Sequence, residues 1–557
     1  MSSSGPADVI FSGGGVYTVD TTRPWARAVA VRQGRIVAIG SDDDVLPLAG
    51  AGTRHVDLRG RMLLPGFHDA HIHAPSGGLD RLRLDLSSHQ SMDGYQRGIA
   101  SYAESHPRAD WVLGGGWLMS LVAGGNPTRQ ELDAVVDDRP AFITDVNNHA
   151  GWVNTRALEV AGVDRDTPDP PDGRIVRDER GNPAGTLLEG AMDLVRRHAP
   201  PTNAQLRKQG LLNAQAYLHS LGITGWQDAI VGTYSTIEDN FDCYVAASDD
   251  ATLTARVMGA LWFQREGGLD QLPALLERKD GAAGRFRADT VKVMVDGSSE
   301  NHSAAMIEPY LPVDGSPEDN IGIVFFETSE LREIFLALDG AGFNLHVHVL
   351  GDRACRMTLD AFEALAAFEG PRHRRHHLAH LQFVQPADLP RIGKLGLIAN
   401  VQPQWAVHGP VMDVATIPFL GERRASWQYR FASMAKTGAM LAFGSDWPVS
   451  SPNPLWGIHV AVNRTPPAGT GAHGAGSTDP FLPDERIDRR AAIHAYTMGS
   501  AYVNHLDGQV GSIEVGKLAD LVVLDRNIFE HPSAEIGGAQ VLLTMVDGVS
   551  VFASRDI

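Results

Sequence analysis

The chain has 557 residues, of which 43% are hydrophobic and 21% charged, and its formal net charge is -19 at pH 7. A chain of this length buries a large core, so we expect one large α/β barrel with a smaller satellite domain. The acidic balance argues against nucleic-acid or anionic-membrane partners, because no basic surplus is present to neutralise phosphates. The chain has only two cysteines and does not start like a signal peptide, so we expect a cytoplasmic protein. It has no apolar run of about 18 residues, so we expect no membrane span.

The two ends of the chain share one pattern. Residues 7–64 contain short apolar runs separated by Gly-rich turns, and the same pattern returns at Asp520–Leu524 and Val541–Gly548. Short strands at both ends need a shared second layer to bury their apolar faces. We therefore predict one small β-sandwich made of residues 1–64 and 505–557, with a larger self-contained domain, residues 65–504, inserted between its halves.

Strand-like and helix-like segments alternate through residues 65–504. Residues 328–341 and 352–368, for example, have the apolar spacing of amphipathic helices. Eight strands with helical crossovers predict a (β/α)8 TIM-like barrel, whose active site lies at the carboxyl ends of the strands. The strand-like runs are Leu64–His73, Gly222–Asp228, Ala255–Leu261, Thr290–Gly297, Phe343–Val349, Arg375–Gln382, Leu397–Pro403 and Met440–Pro448.

A large insertion separates the first barrel strand from the second. It spans residues 76 to about 220, far more than one crossover needs, and it contains a strand-like run at Ala141–Asp145 and a hairpin signal at Arg180–Pro183. We expect it to pack over the barrel mouth and shape a substrate pocket. A second long loop, rich in Pro and Gly, is predicted at Thr465–Asp484.

Metal-ligand residues follow several of the predicted strands. His71 and His73 are two residues apart on a strand, so their side chains share one face. Histidine nitrogen and carboxylate oxygen are the ligands of a hydrolytic zinc site with an open position for water. The residues of these types at the strand ends, together with one lysine, are His71, His73, Lys292, His348, His380 and Asp446.

These motifs together resemble the amidohydrolase superfamily, and more narrowly amidohydrolase family 3, the YtcJ-like metal-dependent hydrolases that include N-substituted formamide deformylases. The resemblance covers nearly the whole chain. The matching motifs are Pro65–His73, Asn147–His149, Val291–Gly297, His348–Ala354, Gly444–Pro448 and Gly511–Asp520.

The resemblance implies a ligand set. His71, His73 and Asp446 would hold one divalent ion, for which we expect zinc. His348 and His380 would hold a second, with Lys292 bridging both as a carbamate, because an ammonium repels cations whereas the CO2 adduct is an anionic ligand. The sequence leaves open whether one or two ions bind and whether Lys292 is carbamylated.

Two departures from the family pattern stand out. The family usually carries Glu directly before the sixth-strand histidine, but Ala379 stands there, so the orientation of His380 must come from another residue. His346 lies two residues before His348, on the same face, and spacing alone does not exclude it as the ligand. The match of His348 to the family's His-x-x-Gly-Asp pattern decides for His348.

Catalytic and pocket roles are predicted for several residues. Asp446 is our candidate general base, and His149 would stabilise the oxyanion of the tetrahedral intermediate, with a plain hydrogen-bonded His149 as the alternative. Trp117, Asp296 and His302 are candidates for the substrate pocket. For Trp117 a place in the core, and for Asp296 a structural role, are left open.

The predicted activity is hydrolysis of a C–N bond, amide or N-formyl, in a small molecule. The first alternative is a deaminase of an amidine or heterocycle, against which Lys292 argues. The second is a non-catalytic scaffold, which the filled ligand positions make less favoured. A homodimer is the expected assembly for a soluble enzyme of this kind.

Overall fold

The structure is a computed structural model and describes residues 5–87, 89, 91–122, 125–146, 150–170, 173–234, 237–300, 302–312, 319–369, 374–470 and 478–557. The chain forms two compact units. The first contains Met1–Ala74, Gln215–Tyr234 and Tyr244–Ile557, and the second contains Pro75–Ala214 and Ser235–Cys243. Within the described ranges, no helix combines the length and apolar character needed to cross a membrane.

Strands from both ends of the chain form two sheets in the first unit. One sheet has the order Arg35–Gly40, Ala28–Arg32, Val9–Ser12 and Arg54–Asp57. The other joins amino-terminal to carboxyl-terminal segments, because Leu521 pairs with Pro65 in an antiparallel ladder. Its strand order is Val549–Ala553, Val541–Val546, Leu521–Leu524, Met62–Pro65, Gly15–Tyr17 and Trp25–Ala26.

A single apolar core lies between these two sheets. It contains Phe11 and Val29 from the first sheet and Leu63, Val523 and Leu543 from the second, all fully buried. In three of the strands the core residues alternate along the chain, as expected for half-buried strands: Val9 and Phe11, Val29 and Val31, and Leu521 and Val523. The sandwich therefore depends on both ends of the chain.

The barrel is an eight-stranded, all-parallel sheet. Its strands follow chain order, as right-handed β–α–β crossovers produce. They are β1 (Phe67–Ile72), β2 (Ile223–Val231), β3 (Arg256–Trp262), β4 (Phe286–Met294), β5 (Asn344–Val349), β6 (His377–His380), β7 (Ile398–Val401) and β8 (Leu441–Phe443).

Backbone hydrogen bonds just beyond the ends of β8 and β1 bring the first and last strands together. The Asp446 amide donates to the His71 carbonyl at 2.7 Å, and the His73 amide donates to the Trp447 carbonyl at 2.9 Å. The sheet is therefore nearly closed, and the residues that follow β8 lie against the histidines of β1.

Helices alternate with the barrel strands as the sequence predicts. The predicted helices correspond to Thr328–Gly340 and Asp352–Glu369, and the first buries Leu331, Ile334 and Leu338 on one face. The α-helices are Asp42–Val45, Ala74–Leu82, Met92–Ser105, Arg129–Asp133, Thr155–Ala161, Asp193–Arg196, Ala204–Ser220, Phe241–Asp249, Leu272–Gly281, Thr328–Gly340, Asp352–Glu369, Leu389–Lys394, Pro410–Asp413, Gly421–Ala425, Phe431–Lys436, Pro454–Asn463, Arg489–His494 and Ser500–Val503.

The second unit is built around its own six-stranded sheet. The predicted strand at Ala141–Asp145 is confirmed, and the predicted hairpin corresponds to two antiparallel strands joined by a turn with Gly181 at φ +81°. The strand order is Gly173–Arg177, Pro183–Glu189, Ala150–Val153, Ala141–Asp145, Val112–Trp117 and Leu84–Asp85.

The predicted fold class, a barrel with a sandwich from both termini and a large insertion, is confirmed. The domain boundaries stay predictions, since the sandwich and barrel strands lie in one compact unit. The predicted loop at Thr465–Asp484 has no α-helix or strand in its described parts, and residues 471–477 of it lie outside the described residues.

Candidate metal centre

His71, His73 and Asp446 converge where β1 and β8 end. Nε2 of His71 and Nε2 of His73 lie 3.2 Å and 2.9 Å from the same oxygen, Oδ1 of Asp446. One ligand atom from each of these residues lies within 4.8 Å of the other two, the spacing that a single cation needs. His71 and Asp446 are almost fully buried, at 1% and 6% exposure.

The backbone around this triad is held by Asp69. Its carboxylate accepts the His71 amide at 3.0 Å and the Ser445 amide at 3.1 Å, and thereby joins β1 to the segment after β8. Burial raises the pKa of Asp69 to about 7. Asp446 itself has a left-handed backbone conformation, with φ +57°, which Asp adopts more readily than most residues.

The chemical state of the triad suits a divalent cation. Burial lowers the pKa of His71 to about 3, so its imidazole is neutral and retains a lone pair. For Asp446, burial alone would raise the pKa, but the neighbouring His71 and His73 outweigh it and hold the pKa well below its usual value. Two imidazoles and one carboxylate are a typical zinc ligand set.

Oδ1 of Asp446 provides the test of whether a cation fits. This atom is buried, and within the described ranges no well-formed hydrogen bond reaches it; the nearest polar atoms are the two imidazole Nε2 atoms, which would themselves be ligands. A buried anionic oxygen without a donor is costly unless a cation compensates it. The triad therefore fits a metal ion.

His346 lies behind His71. Nε2 of His346 is 2.9 Å from Nδ1 of His71, and the two rings are 4.7 Å apart. If Nδ1 of His71 carries the proton and donates it to His346, Nε2 of His71 is left open as a ligand. This contact joins His346 to a candidate ligand, and the sequence had favoured His348 over His346 as the ligand from that strand.

Lys292, His348 and His380 form a second group, from β4, β5 and β6. The His348 and His380 rings lie 4.6 Å apart, and Nε2 of His348 is 3.3 Å from the Gly297 carbonyl. Lys292 is 2% exposed, and burial lowers its pKa to about 7 although Asp446 opposes that shift. Burial likewise lowers the pKa of His348 to about 3 and that of His380 well below its usual value.

Asp296 supports the loops next to His348. Its fully buried carboxylate accepts backbone amides of Ala305, Leu350 and Gly351 at 3.0, 3.0 and 2.7 Å. Oδ1 lies 3.9 Å from Nε2 of His348. Burial raises the pKa of Asp296 to about 7. These contacts join the loops after β4 and β5. They agree with the structural role for Asp296, which the sequence left open beside a role in the pocket.

Two other pocket candidates have structural contacts. Trp117 is fully buried in the apolar core of the second unit, and its indole donates to the Ile143 carbonyl at 2.9 Å. The His302 ring lies 3.8 Å from the Phe419 ring, and its Nε2 is 3.0 Å from the Ala415 carbonyl. Neither set of contacts includes a candidate ligand, and the pocket roles stay predictions. His149 lies outside the described residues.

Sequence reasoning missed the residues that hold His380. Nδ1 of His380 is 2.8 Å from Oε1 of Gln402, and the ring of Trp405 stacks on the imidazole at 5.2 Å and 11°. Both residues follow β7. The sequence did contain a hint: Gln402 is a polar residue at the end of the strand next to β6, and Ala379 stands where the family usually carries a Glu.

Comparisons with known proteins cover nearly the whole chain. A family model described as the amidohydrolase family matches residues 54–552. The chain is 31% identical over 551 residues to Protein LONG AFTER FAR-RED 3 of Arabidopsis thaliana, which covers 98% of this chain and 92% of that protein. It is 28% identical over 563 residues to the N-substituted formamide deformylase of Arthrobacter pascens, which covers 97% of this chain and 98% of that protein.

A solved structure shares the fold. An uncharacterized metal-dependent hydrolase from Pyrococcus horikoshii OT3 superposes with a TM-score of 0.73 at 24% identity, covering 94% of this chain and 99% of that one. At this identity the likeness concerns the fold alone.

Proposed function

Because the chain belongs to the amidohydrolase family, we propose that it hydrolyses a C–N bond of a small molecule, an amide or N-formyl group, in a metal-dependent reaction. The family resemblance predicted from the motifs is thereby confirmed. The observation that carries the proposal is the convergence of His71, His73 and Asp446 around a buried carboxylate oxygen without a hydrogen-bond donor.

His71, His73 and Asp446 would hold the first ion, and Lys292, His348 and His380 the second. With Lys292 at a pKa of about 7, a large share of its amine is neutral at neutral pH, and a neutral amine is the form that adds CO2. A bound divalent ion, zinc by this ligand chemistry, supplies Lewis acidity and lowers the pKa of a water molecule.

Asp446 has the central proton-transfer role. Its carboxylate accepts the proton of the attacking water and passes it to the leaving nitrogen. The site suits this role geometrically, because Asp446 is nearly buried and its backbone amide donates to the His71 carbonyl, which fixes the position of the carboxylate. His149 is our candidate donor to the oxyanion.

An N-formyl amine is the preferred substrate class within this proposal. The chain aligns with 98% of the N-substituted formamide deformylase from Arthrobacter pascens. A deaminase is the second candidate, since a local stretch is 43% identical over 70 residues to an adenine deaminase of Methanococcoides burtonii. That match covers only 13% of this chain, so the full-length relationship is favoured.

Product analysis tests the proposal. The purified protein is incubated with N-formyl amines, simple amides and amino-heterocycles, with and without a chelator, and products are identified by mass spectrometry. We expect formate or another carboxylate plus free amine, lost on chelation. Ammonia from the heterocycles alone would establish the deaminase instead, and turnover that resists chelation would refute the metal-dependent mechanism.

A further inference from the structure

The imidazole of His380 is held on two sides by one short segment. Gln402 directly follows β7, and its Oε1 lies 2.8 Å from Nδ1 of His380. Three residues later Trp405 stacks its ring on the same imidazole, with centroids 5.2 Å apart and planes inclined by 11°. The 3-10 helix Pro403–Trp405 connects the two contacts.

This segment can orient the His380 ring, which the residue directly before His380 cannot do. Ala379, directly before His380, is fully buried and has no polar group to orient the ring. Metal-ligating histidines nearly always donate their second ring N–H to an oxygen, which fixes both the tautomer and the ring direction. Gln402 supplies such an oxygen from just beyond the end of β7, the strand next to β6.

We propose that Gln402 is the positioning residue of His380, and that it keeps the proton on Nδ1 so that Nε2 is open to the second metal ion. This inference rests on the proposed metal-dependent function. Nδ1–H of His380 donates to the Gln402 carbonyl oxygen, and stacking by Trp405 hinders rotation of the ring out of this position.

The direction of this hydrogen bond matters, because an amide can accept or donate. If the Gln402 amide nitrogen donated to Nδ1 instead, the His380 proton would move to Nε2 and remove the ligand atom. Gln402 is fully buried, and among the described residues its Nε2 has no hydrogen-bond partner. An unsatisfied buried donor is costly, so Gln402→Glu, which removes this donor and keeps an oxygen acceptor, tests the assigned direction of the hydrogen bond.

Three variants separate the possibilities. Gln402→Glu keeps an oxygen acceptor and removes the amide donor, whereas Gln402→Leu keeps the approximate volume and removes the acceptor. Gln404→Leu is the matched control: Gln404 lies in the same segment, is 7% exposed, and donates to the Ser451 carbonyl, away from His380.

The readout is zinc binding by the full-length protein, measured as zinc bound per chain and as affinity in competition with a chromophoric chelator. We expect Gln402→Leu to lower the affinity for the second zinc ion, the one that His380 would hold, by roughly 10–100-fold. Gln402→Glu should bind that ion as tightly as the native protein or more tightly, and Gln404→Leu should bind it unchanged.

Several outcomes would overturn the inference. If Gln402→Glu binds zinc as weakly as Gln402→Leu, Gln402 acts as a donor and the assigned tautomer is wrong. If both Gln402 variants bind like the native protein, Gln402 does not position His380 while the proposed function stands. A native protein that binds only one zinc ion would overturn this inference alone, and one that binds no zinc at all would refute the proposed function as well. If Gln402→Leu does not fold, Gln402→Glu alone decides, since lost affinity in that variant contradicts an acceptor role.

Discussion

The two ends of the barrel strands differ in how their buried charges are satisfied. At the amino ends, Arg256 opens β3 and its Nε donates to Asp520 at 2.9 Å, while its Nη2 donates to Asp547. At the carboxyl ends, Oδ1 of Asp446 is buried beside His71 without a hydrogen-bond donor among the described residues. The buried carboxylate at the amino ends has a cationic partner within the chain, whereas the buried carboxylate oxygen at the carboxyl ends requires a bound cation.

This difference separates stability from chemistry within one barrel. The charges at the amino ends join the barrel to the sandwich, since Asp520 and Asp547 adjoin sandwich strands and the Gly66 amide donates to the Asp520 carbonyl at 2.8 Å. In barrels of this type the carboxyl ends carry catalysis and the amino ends carry stability. Substitutions at the two ends should therefore affect different measurements.

The largest effect is expected for Asp446→Asn. Asn has nearly the same shape and also tolerates the left-handed backbone at this position, so the fold should persist. Loss of the anionic ligand and proton acceptor should lower kcat/KM by at least roughly 10³-fold. Thermal unfolding measured alongside turnover checks that the two effects separate.

A matched control for that variant is Asp413→Asn, because Asp413 also faces a histidine, His408 at 2.7 Å, but on the exposed surface. It should retain native turnover and zinc content. Near-native activity in Asp446→Asn would remove Asp446 from both of its roles and leave the carboxyl ends without a demonstrated base.

Lys292→Ala should have the next largest effect. Removing the bridging group should lower the zinc content per chain. Turnover should fall by more than roughly 10–100-fold, the loss typical when a residue that hydrogen-bonds to a metal ligand is removed. Short carboxylates such as formate or propionate should restore part of the activity, because they can replace the carbamate. Lys279→Ala, on the surface, is the control.

Unchanged zinc content in Lys292→Ala would indicate a site with one ion. Mass spectrometry of the intact native protein under non-denaturing conditions provides an independent check, since a carbamate adds the mass of CO2. A native protein without that added mass, together with unchanged zinc content in the variant, would limit the centre to His71, His73 and Asp446.

Much of the carboxyl-end arrangement was accessible from the sequence. His71 and His73 are two residues apart on a strand, so they share one face whatever the exact strand register. The last barrel strand, β8, lies beside β1, which brings Asp446 next to these histidines. Chain order in a parallel barrel likewise makes β5 and β6 neighbours, which brings His348 next to His380. Local periodicity and strand order are sufficient for these contacts.

The remaining details depend on side-chain directions that no local pattern encodes. The contact of Gln402 with His380 depends on how far each residue lies beyond its strand, and Trp117 can serve a core or a pocket with the same local sequence. The packing of His302 against Phe419 joins segments distant in sequence. Such choices are decided by tertiary packing, which spacing does not report.

At the amino ends, Arg256→Met should lower stability without lowering catalysis. Asp520, with its side chain 1% exposed, would lose its charged partner, and removing one partner of a buried pair typically costs about 3–5 kcal/mol. Urea unfolding should show this loss, while turnover under conditions where the variant is folded stays native. The control is Arg423→Met, whose partner Glu308 is exposed, with an expected change below about 1 kcal/mol.

The smallest effect is expected for Asp547→Asn, and it should depend on pH. Burial by itself would raise the pKa of Asp547, but Arg256 and Arg285 outweigh it and hold the pKa below its usual value. A carboxyl with a lowered folded-state pKa stabilises the fold above its unfolded pKa, about 3.9, and loses this contribution as the pH falls through the folded value. The variant should be less stable than the native protein by about 1–2 kcal/mol at neutral pH.

The difference between Asp547→Asn and the native protein should shrink below about pH 4, where the native carboxyl also becomes protonated. Urea unfolding at a series of pH values measures this directly. Asp57→Asn is the control, because the Asp57–Arg59 pair is exposed and 3.8 Å apart and should contribute little at any pH. A difference that persists unchanged to the lowest pH would mean that Asp547 acts through packing and not through its charge, and the amino ends would then not depend on paired charges as proposed.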